Sequence, residues 1–261
     1  MTASFHTRSK DAAWVSQPPQ ISSAVAASIE ETFVSYPEAD DVLTQCEWRI
    51  VSSRRLRDPH LIVLADEKNG SGAIVRWVCR RHRPFRVPSQ DSPVVPVLVT
   101  DLPLLPESDD LLFNLASALG LLRCRDWERL RQRFQAASVR LVFVRNAHEF
   151  GNWPAPKQHA VLRQLLTFAE EAGIGLVLCA LPSFQRSLID HRDLLGAVPR
   201  LKLPSWTPAR LGPFLEELDR TIGPRRSKVP WNAAALCADA GGCIGEILRL
   251  VEKNYEDPDR Q

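Results

Sequence analysis

Apolar positions along this chain fall into two alternating rhythms. Short, nearly continuous apolar runs predict strands over Leu61–Leu64, Val94–Thr100, Val139–Val144 and Gly175–Ala180, with a weaker fifth over Arg200–Leu203. Between them apolar residues recur every three or four positions. That spacing predicts helices over Ala73–Arg81, Asp109–Leu119, Trp127–Ala137 and Lys157–Ala172. Strands that are apolar on both faces, separated by amphipathic helices, imply a parallel sheet covered on both sides and joined by right-handed crossovers. Upstream, Val25, Ile29 and Phe33 keep helical spacing in "SSAVAASIEETFVSYP", and Pro37 is expected to end that helix. "DDVLTQCEWRIVSS" reads either as a second, shorter helix or as an irregular connector. After Trp206 the strand pattern stops and three helical stretches follow, the first opened by Thr207 and Pro208. The expected organisation is an arm and helix over residues 1–50, an α/β core over 51–206 and a small all-helical lid over 207–261.

Composition narrows the picture. With 44% hydrophobic and 25% charged residues, the 261-residue chain has the balance of a globular protein with a real core. A net charge of +2 leaves nucleic-acid binding to local patches. The six cysteines are scattered, without a CxxC pair; four sit in apolar runs and predict reduced, buried thiols, and no zinc site is expected. No run of about 18 apolar residues is present to cross a membrane, and "MTASFHTRSKDAAW" lacks the apolar centre of a signal peptide, so a cytoplasmic location is expected.

Candidate chemistry begins at the first strand. Strand, glycine-bearing turn and helix is the layout of a phosphate-binding loop, GxxxxGK[ST]. Its backbone N–H groups face phosphates, its lysine neutralises them and its hydroxyl holds magnesium. Aligned on Gly70, this chain offers Ala65, Asp66, Glu67, Lys68, Asn69, Gly70, Ser71 and Gly72. Serine stands in the lysine place and glycine in the hydroxyl place, and Lys68 precedes the helix. Asp66 and Glu67 add negative charge where phosphates would sit. The helix N-terminus alone still favours an anion. An ordinary βα turn using Asn69 and Gly70 is the plain alternative. The third strand runs into "RNAHEF". A nucleotide hydrolase carries a metal-ordering acid and a water-activating acid at that strand end. Here they are Arg145 and Asn146, and an always-charged guanidinium is neither base nor metal ligand.

Several fragments now fall into a known order. They are Tyr36–Pro37, "RRLRDP" (Arg54–Pro59), "KNGSG" (Lys68–Gly72), "PVVPV" (Pro93–Val97) and "VRLVFVRNAHEF" (Val139–Phe150). "IGLVLCAL" (Ile174–Leu181), "LPSW" (Leu203–Trp206) and "GCIGEILRLV" (Gly242–Val251) continue it. In sequence and order they resemble TniB, the transposon AAA+ ATPases related to TnsC. The resemblance covers residues 14–251. It implies a P-loop AAA+ core with a five-stranded parallel sheet, a helical N-terminal arm and a C-terminal lid. The departures share one theme. The family's NNGKT is KNGSG here, and its acids are Arg145 and Asn146. Its polar sensor place holds Leu181, and its arginine-finger place falls near Ala197, with Arg200 three positions away. Arg249 in "GEILR" stands where the family keeps a lid sensor. The resemblance therefore implies a degenerate pocket of Lys68, Asn69, Gly70, Ser71, Gly72, Arg145, Asn146 and Arg249 in a pseudo-ATPase. No cofactor is expected beyond weak ATP or ADP binding. The implied partners are an AAA+ protein or further copies of this chain, a transposase or a TniQ-like protein, and DNA. A residual nucleotide switch, or a domain adopted for host defence or regulation, are the other readings.

Arg54, Arg55 and Arg57 form the candidate DNA contact; a solvated basic loop explains them as well. Arg76, Arg80, Arg81, Arg83 and Arg86 cluster around Trp77 and Phe85, with Trp77 at core spacing. His148 beside Glu149 reads as local packing at a strand end. Neutralising Arg54, Arg55 and Arg57 together is expected to lower the salt slope of DNA binding by up to about 0.9 for each phosphate the loop had neutralised. Affinities measured across a salt series check this, and an unchanged slope removes the loop from the DNA interface.

Overall fold

In the computed structural model, the residues described are 33–52, 59–88, 92–103, 108–121, 124, 126–222 and 231–256. Helix α1 (Pro37–Ser52) leads into β1 (Leu61–Ala65) and α2 (Ser71–Arg81). Next come β2 (Val97–Asp101), α3 (Ser108–Ala118), α4 (Trp127–Ala136) and β3 (Leu141–Arg145). After α5 (Ala155–Ala172) and β4 (Gly175–Ala180), the short helices α6 (Gln185–Asp190) and α7 (Arg192–Leu195) lead to β5 (Arg200–Leu203). Three helices follow: α8 (Pro208–Ile222), α9 (Ala233–Asp239) and α10 (Ile244–Glu256).

All pairings are parallel and the strand order is β2-β3-β4-β1-β5. Period-two alternation divides the strands between two cores. Ile62, Leu64, Val142, Val144, Leu176 and Leu178 face one side with α3, α4 and α5. Leu61, Val63, Leu141, Phe143, Val177 and Cys179 face the other with α1 and α2. The crossover from β1 out to β2 uses the α2 face. Those running back through β3 and β4 use the opposite face. Changing face as the direction reverses keeps every crossover the same hand. The reversal is centred on β1, so a crevice opens at the carboxyl ends of the strands there. A third core, built on Leu211, Leu215, Leu236, Ile247 and Val251, holds the lid, and Val34 and Trp206 reach into it.

Three sequence expectations need correction. Pro37 opens α1 instead of ending a helix: at the first helical position its missing N–H costs nothing. The segment after it is therefore helix, not connector. β2 begins at Val97 because Pro96 lacks the ladder N–H and Val94 pairs antiparallel with Phe85. β3 begins at Leu141 because Val139 N–H closes the end of α4 on Phe134 O at 3.0 Å. The helix expected over residues 22–36 lies mostly outside the described residues, and Arg54, Arg55 and Arg57 lie wholly outside them. The six cysteines are all free thiols, and no group of metal-ligating side chains occurs among the described residues. None of the described helices is long and apolar enough to cross a membrane.

Close packing at the base of the sheet is testable at Gly175. A Cβ there would sit 2.8 Å from Pro59 O and 3.0 Å from Leu141 Cδ1. Gly175→Ala is expected to cost about 1–3 kcal/mol, at about 2–4 °C of Tm per kcal/mol in a chain of this size. Thermal unfolding followed by circular dichroism measures it.

Candidate functional site

β1 is buried along its whole length and ends where polar residues begin: Asp66, Glu67 and Lys68 are all exposed. Lys68 has φ 57° and Gly70 φ 94°, both left-handed, and α2 starts at Ser71. The turn is closed by Asn69 N–H on Asp66 O at 3.1 Å, and Gly70 O accepts from Ala73 and Ile74. At Gly70 a side chain is barred twice, by its φ and by Tyr36 Oη, 3.0 Å from where a Cβ would lie.

A cleft of about 420 Å³ opens above the ends of β1, β3 and β4. Lys68, Ser71, Gly72, Arg145 and Asn146 line it, so both candidate motifs meet across one space. Asp66, Glu67, His148, Glu149, Cys179 and Leu181 also line it. The other assigned residues lie elsewhere. Asn69 is buried and turned away: its Nδ2 donates to Pro204 O at 2.8 Å. Gly70 borders a neighbouring apolar pocket of about 280 Å³, walled by Phe33, Tyr36, Phe214, Ile244 and Leu248. Arg249 does not line the cleft. It is exposed on α10 and donates to Glu246 at 2.8 Å, one turn away.

The charges of the cleft are already allocated. Arg145 forms a bidentate pair with Asp101, Nε to Oδ1 at 2.9 Å and Nη2 to Oδ2 at 2.6 Å. Those bonds hold the guanidinium pKa above its ordinary value. Asn146, left-handed at φ 57°, donates to the same carboxylate at 3.2 Å. Lys68 Nζ lies 2.7 Å from Glu246 Oε1, a hydrogen bond that raises the lysine pKa and lowers that of the glutamate. Against these paired cations stand three acids without a Lys or Arg ion pair among the described residues. Asp66 accepts from Ser205 Oγ at 3.1 Å, Glu149 accepts from Asn152 Nδ2 at 2.7 Å, and Glu67 completes the set. Glu149 also lies 3.5 Å from His148 Nε2. Burial pushes the Cys179 thiol up to about 12, so it is not a nucleophile at neutral pH.

Sequence reading missed Asp101 and Glu246, the two acids that consume the cations. Asp101 has a signal in hindsight: it ends β2 in register with Arg145, so parallel pairing makes them neighbours. Glu246 has none, because the lid must first fold onto the turn. Trp77, expected in the core, is half-buried and stacks on Phe33 with ring centroids 5.1 Å apart.

Reversing the polarity of the helix start offers a direct check. Gly72 is exposed, and a Cβ there meets only Arg76 Nη1 at 3.6 Å, so a threonine fits. Ser71→Lys with Gly72→Thr is expected to tighten ATP binding at least about tenfold, since a poorly screened charge pair at 4 Å is worth a few kcal/mol. Calorimetric titration of both proteins measures the difference.

Known proteins place this geometry. No curated protein matches the chain by sequence. Among solved structures, the Aeropyrum pernix ORC1 protein in complex with DNA superposes with TM-score 0.62 at 18% identity. That match covers 87% of this chain, which spans 62% of the ORC1 chain. A Walker-type ATPase of Pyrococcus abyssi follows at TM-score 0.58 and 12% identity, covering 88% of this chain and 69% of that one. The Aeropyrum pernix ORC2 protein, in ADPNP and ADP complexes, gives 0.54 and 15%, covering 90% and 72%. These likenesses establish the AAA+ P-loop ATPase fold. The model of the bacterial TniB protein family matches residues 25–208, well over half of the chain and both halves of the cleft. With that match, which takes in all five strands and the turn that lines the cleft, this chain belongs to the TniB family.

Proposed function

We propose that this protein is a non-catalytic AAA+ adaptor or regulator in DNA transposition or a related mobile-element system, working through protein and DNA contacts without turnover. The observation that carries the reading is the allocation of charge in the cleft. Its two cations are already held by Asp101 and Glu246, and Asp66, Glu67 and Glu149 face the same space. A triphosphate entering there meets net negative charge, with no lysine at the helix start to offset it. Arg145 and Asn146 supply no carboxylate to order magnesium and none to prepare a water. The residues present therefore do not fit a magnesium nucleotide, and no hydrolytic step is assigned to them.

The family and fold support the partner classes. A TniB-like AAA+ domain packs beside another AAA+ subunit or a further copy of itself, and it engages a transposase, a TniQ-like protein or DNA. Support for DNA is the basic loop with Arg54, Arg55 and Arg57, together with the DNA named for the ORC1 structure.

A second reading has its own support. The apolar pocket beside Gly70 and Gly72 is large enough for a flat ring, and the α2 N-terminus adjoins it. A residual nucleotide switch would use both and need no magnesium.

Two measurements separate the readings. The purified chain is expected to release no phosphate from ATP above buffer. Steady release that Ser71→Ala or Asn146→Ala abolishes overturns the non-catalytic reading. Titration with ATP, with and without magnesium, is expected to show no micromolar binding, and such binding without magnesium favours the switch.

A further inference from the structure

The turn after β1 is held from behind at every residue. Asp66 Oδ2 accepts from Ser205 Oγ at 3.1 Å. Glu67 O accepts from Cys243 Sγ at 3.3 Å. Lys68 O accepts from Gly245 N–H at 2.9 Å while its Nζ pairs with Glu246. Asn69, with 1% of its surface exposed, donates to Pro204 O. Four consecutive residues thus grip two segments, the 203–206 linker and the start of α10. Those segments also bind each other, since Trp206 N–H donates to Gly242 O at 2.8 Å.

The approach is close enough to demand glycine on the lid side. A Cβ at Gly245 would lie 2.8 Å from Lys68 O, and one at Gly242 would lie 2.7 Å from Trp206 O. On the turn side a lysine adopts left-handed backbone, φ 57°, a conformation L residues seldom take outside glycine and asparagine. That backbone sets the direction of the Lys68 carbonyl. Further out, Arg210 of α8 pairs with Glu38 of α1, and Tyr36 packs edge-on against Trp206.

We infer that these contacts are a latch that fixes the lid against the core without a ligand. A lid that answers to nucleotide needs the ligand to be what joins it to the turn. Here protein groups already make that junction, and the lid cation Arg249 is spent on Glu246 instead of reaching the cleft. The lid angle becomes a property of the folded chain. Core and lid then present one constant surface to a neighbour, whatever occupies the cleft. The inference rests on geometry and not on the non-catalytic reading: weak nucleotide binding with an unmoved lid leaves it standing.

Hydrogen exchange on the full chain tests it. Asn69→Ala and Gly245→Ala are expected to raise exchange of the α9 and α10 amides on the order of tenfold while β1 and β3 stay protected. Ser71→Ala, in the same loop but without a bond to the lid among the described residues, is expected to leave the lid unchanged. Millimolar ATP added to the wild type is expected to leave it unchanged as well. Unaltered lid exchange in both latch variants overturns the inference, and so does a lid in the wild type that gains or loses protection with ATP. Should Gly245→Ala loosen sheet and lid alike, the charge reversal Glu246→Lys decides: about threefold faster exchange confined to the lid supports the latch, and no change refutes it.

Discussion

β1 has no solvent-facing side. It is flanked by β4 and β5, covered above and below by the two cores, and its five residues are all buried. Its end is therefore fixed in space, and the turn that follows has one place to go. Everything at the cleft descends from that constraint. The crossover direction reverses around β1, which opens the crevice, and the turn must deliver Asp66 to Asn69 into the gap between core and lid. A backbone so placed has N–H groups at the α2 start on one side and carbonyls on the other. In this chain the carbonyls at Glu67 and Lys68 are taken by the lid.

Charge then decides what the placement does. A phosphate-binding frame holds a triphosphate most tightly with unpaired positive charge at its helix start. Here the two cations that line the cleft, Lys68 and Arg145, each have an acid of their own, and the acids left over are negative. Because the Arg145–Asp101 and Lys68–Glu246 pairs are partly exposed, each adds little to stability. Their effect is local: they remove two cations from the inventory a triphosphate would meet. These exposed pairs lie apart from the apolar packing, since Val142, Val144, Leu176 and Leu178 are in the core beneath them. Scaffold and chemistry are separable for this reason: the scaffold is set by burial, the chemistry by a few exposed groups at strand ends.

The lid ties these two halves together. Its own core of leucine, isoleucine and valine makes it a small stable unit, and Trp206 and Val34 stitch it to the linker and to the segment before α1. Through the proposed latch, core and lid would present one constant surface. The TniB membership and the AAA+ fold supply the context in which such a surface meets a neighbour.

Much of this was legible in the residues alone. Near-continuous apolar runs at β1 and β4 reflect burial on both faces, which depends on local pattern, so strands, parallel pairing and the helical lid could be read directly. The polar runs that line the cleft were legible too, because each is a short run at the end of a strand. Boundaries failed where a proline's role depends on its surroundings. Pro37 and Pro96 each lack an N–H, and only neighbouring structure decides whether that ends an element or begins one. The charge allocation was beyond the sequence. Asp101 and Arg145 are 44 residues apart, and Lys68 and Glu246 are 178 apart. Arg249, expected as a lid sensor, is paired with Glu246 in the folded chain. The sequence by itself determined which strands are buried on both faces, since hydrophobic pattern is local. Only the tertiary structure decided which charges cancel, since Coulomb interaction depends on distance in space and the lid sets that distance.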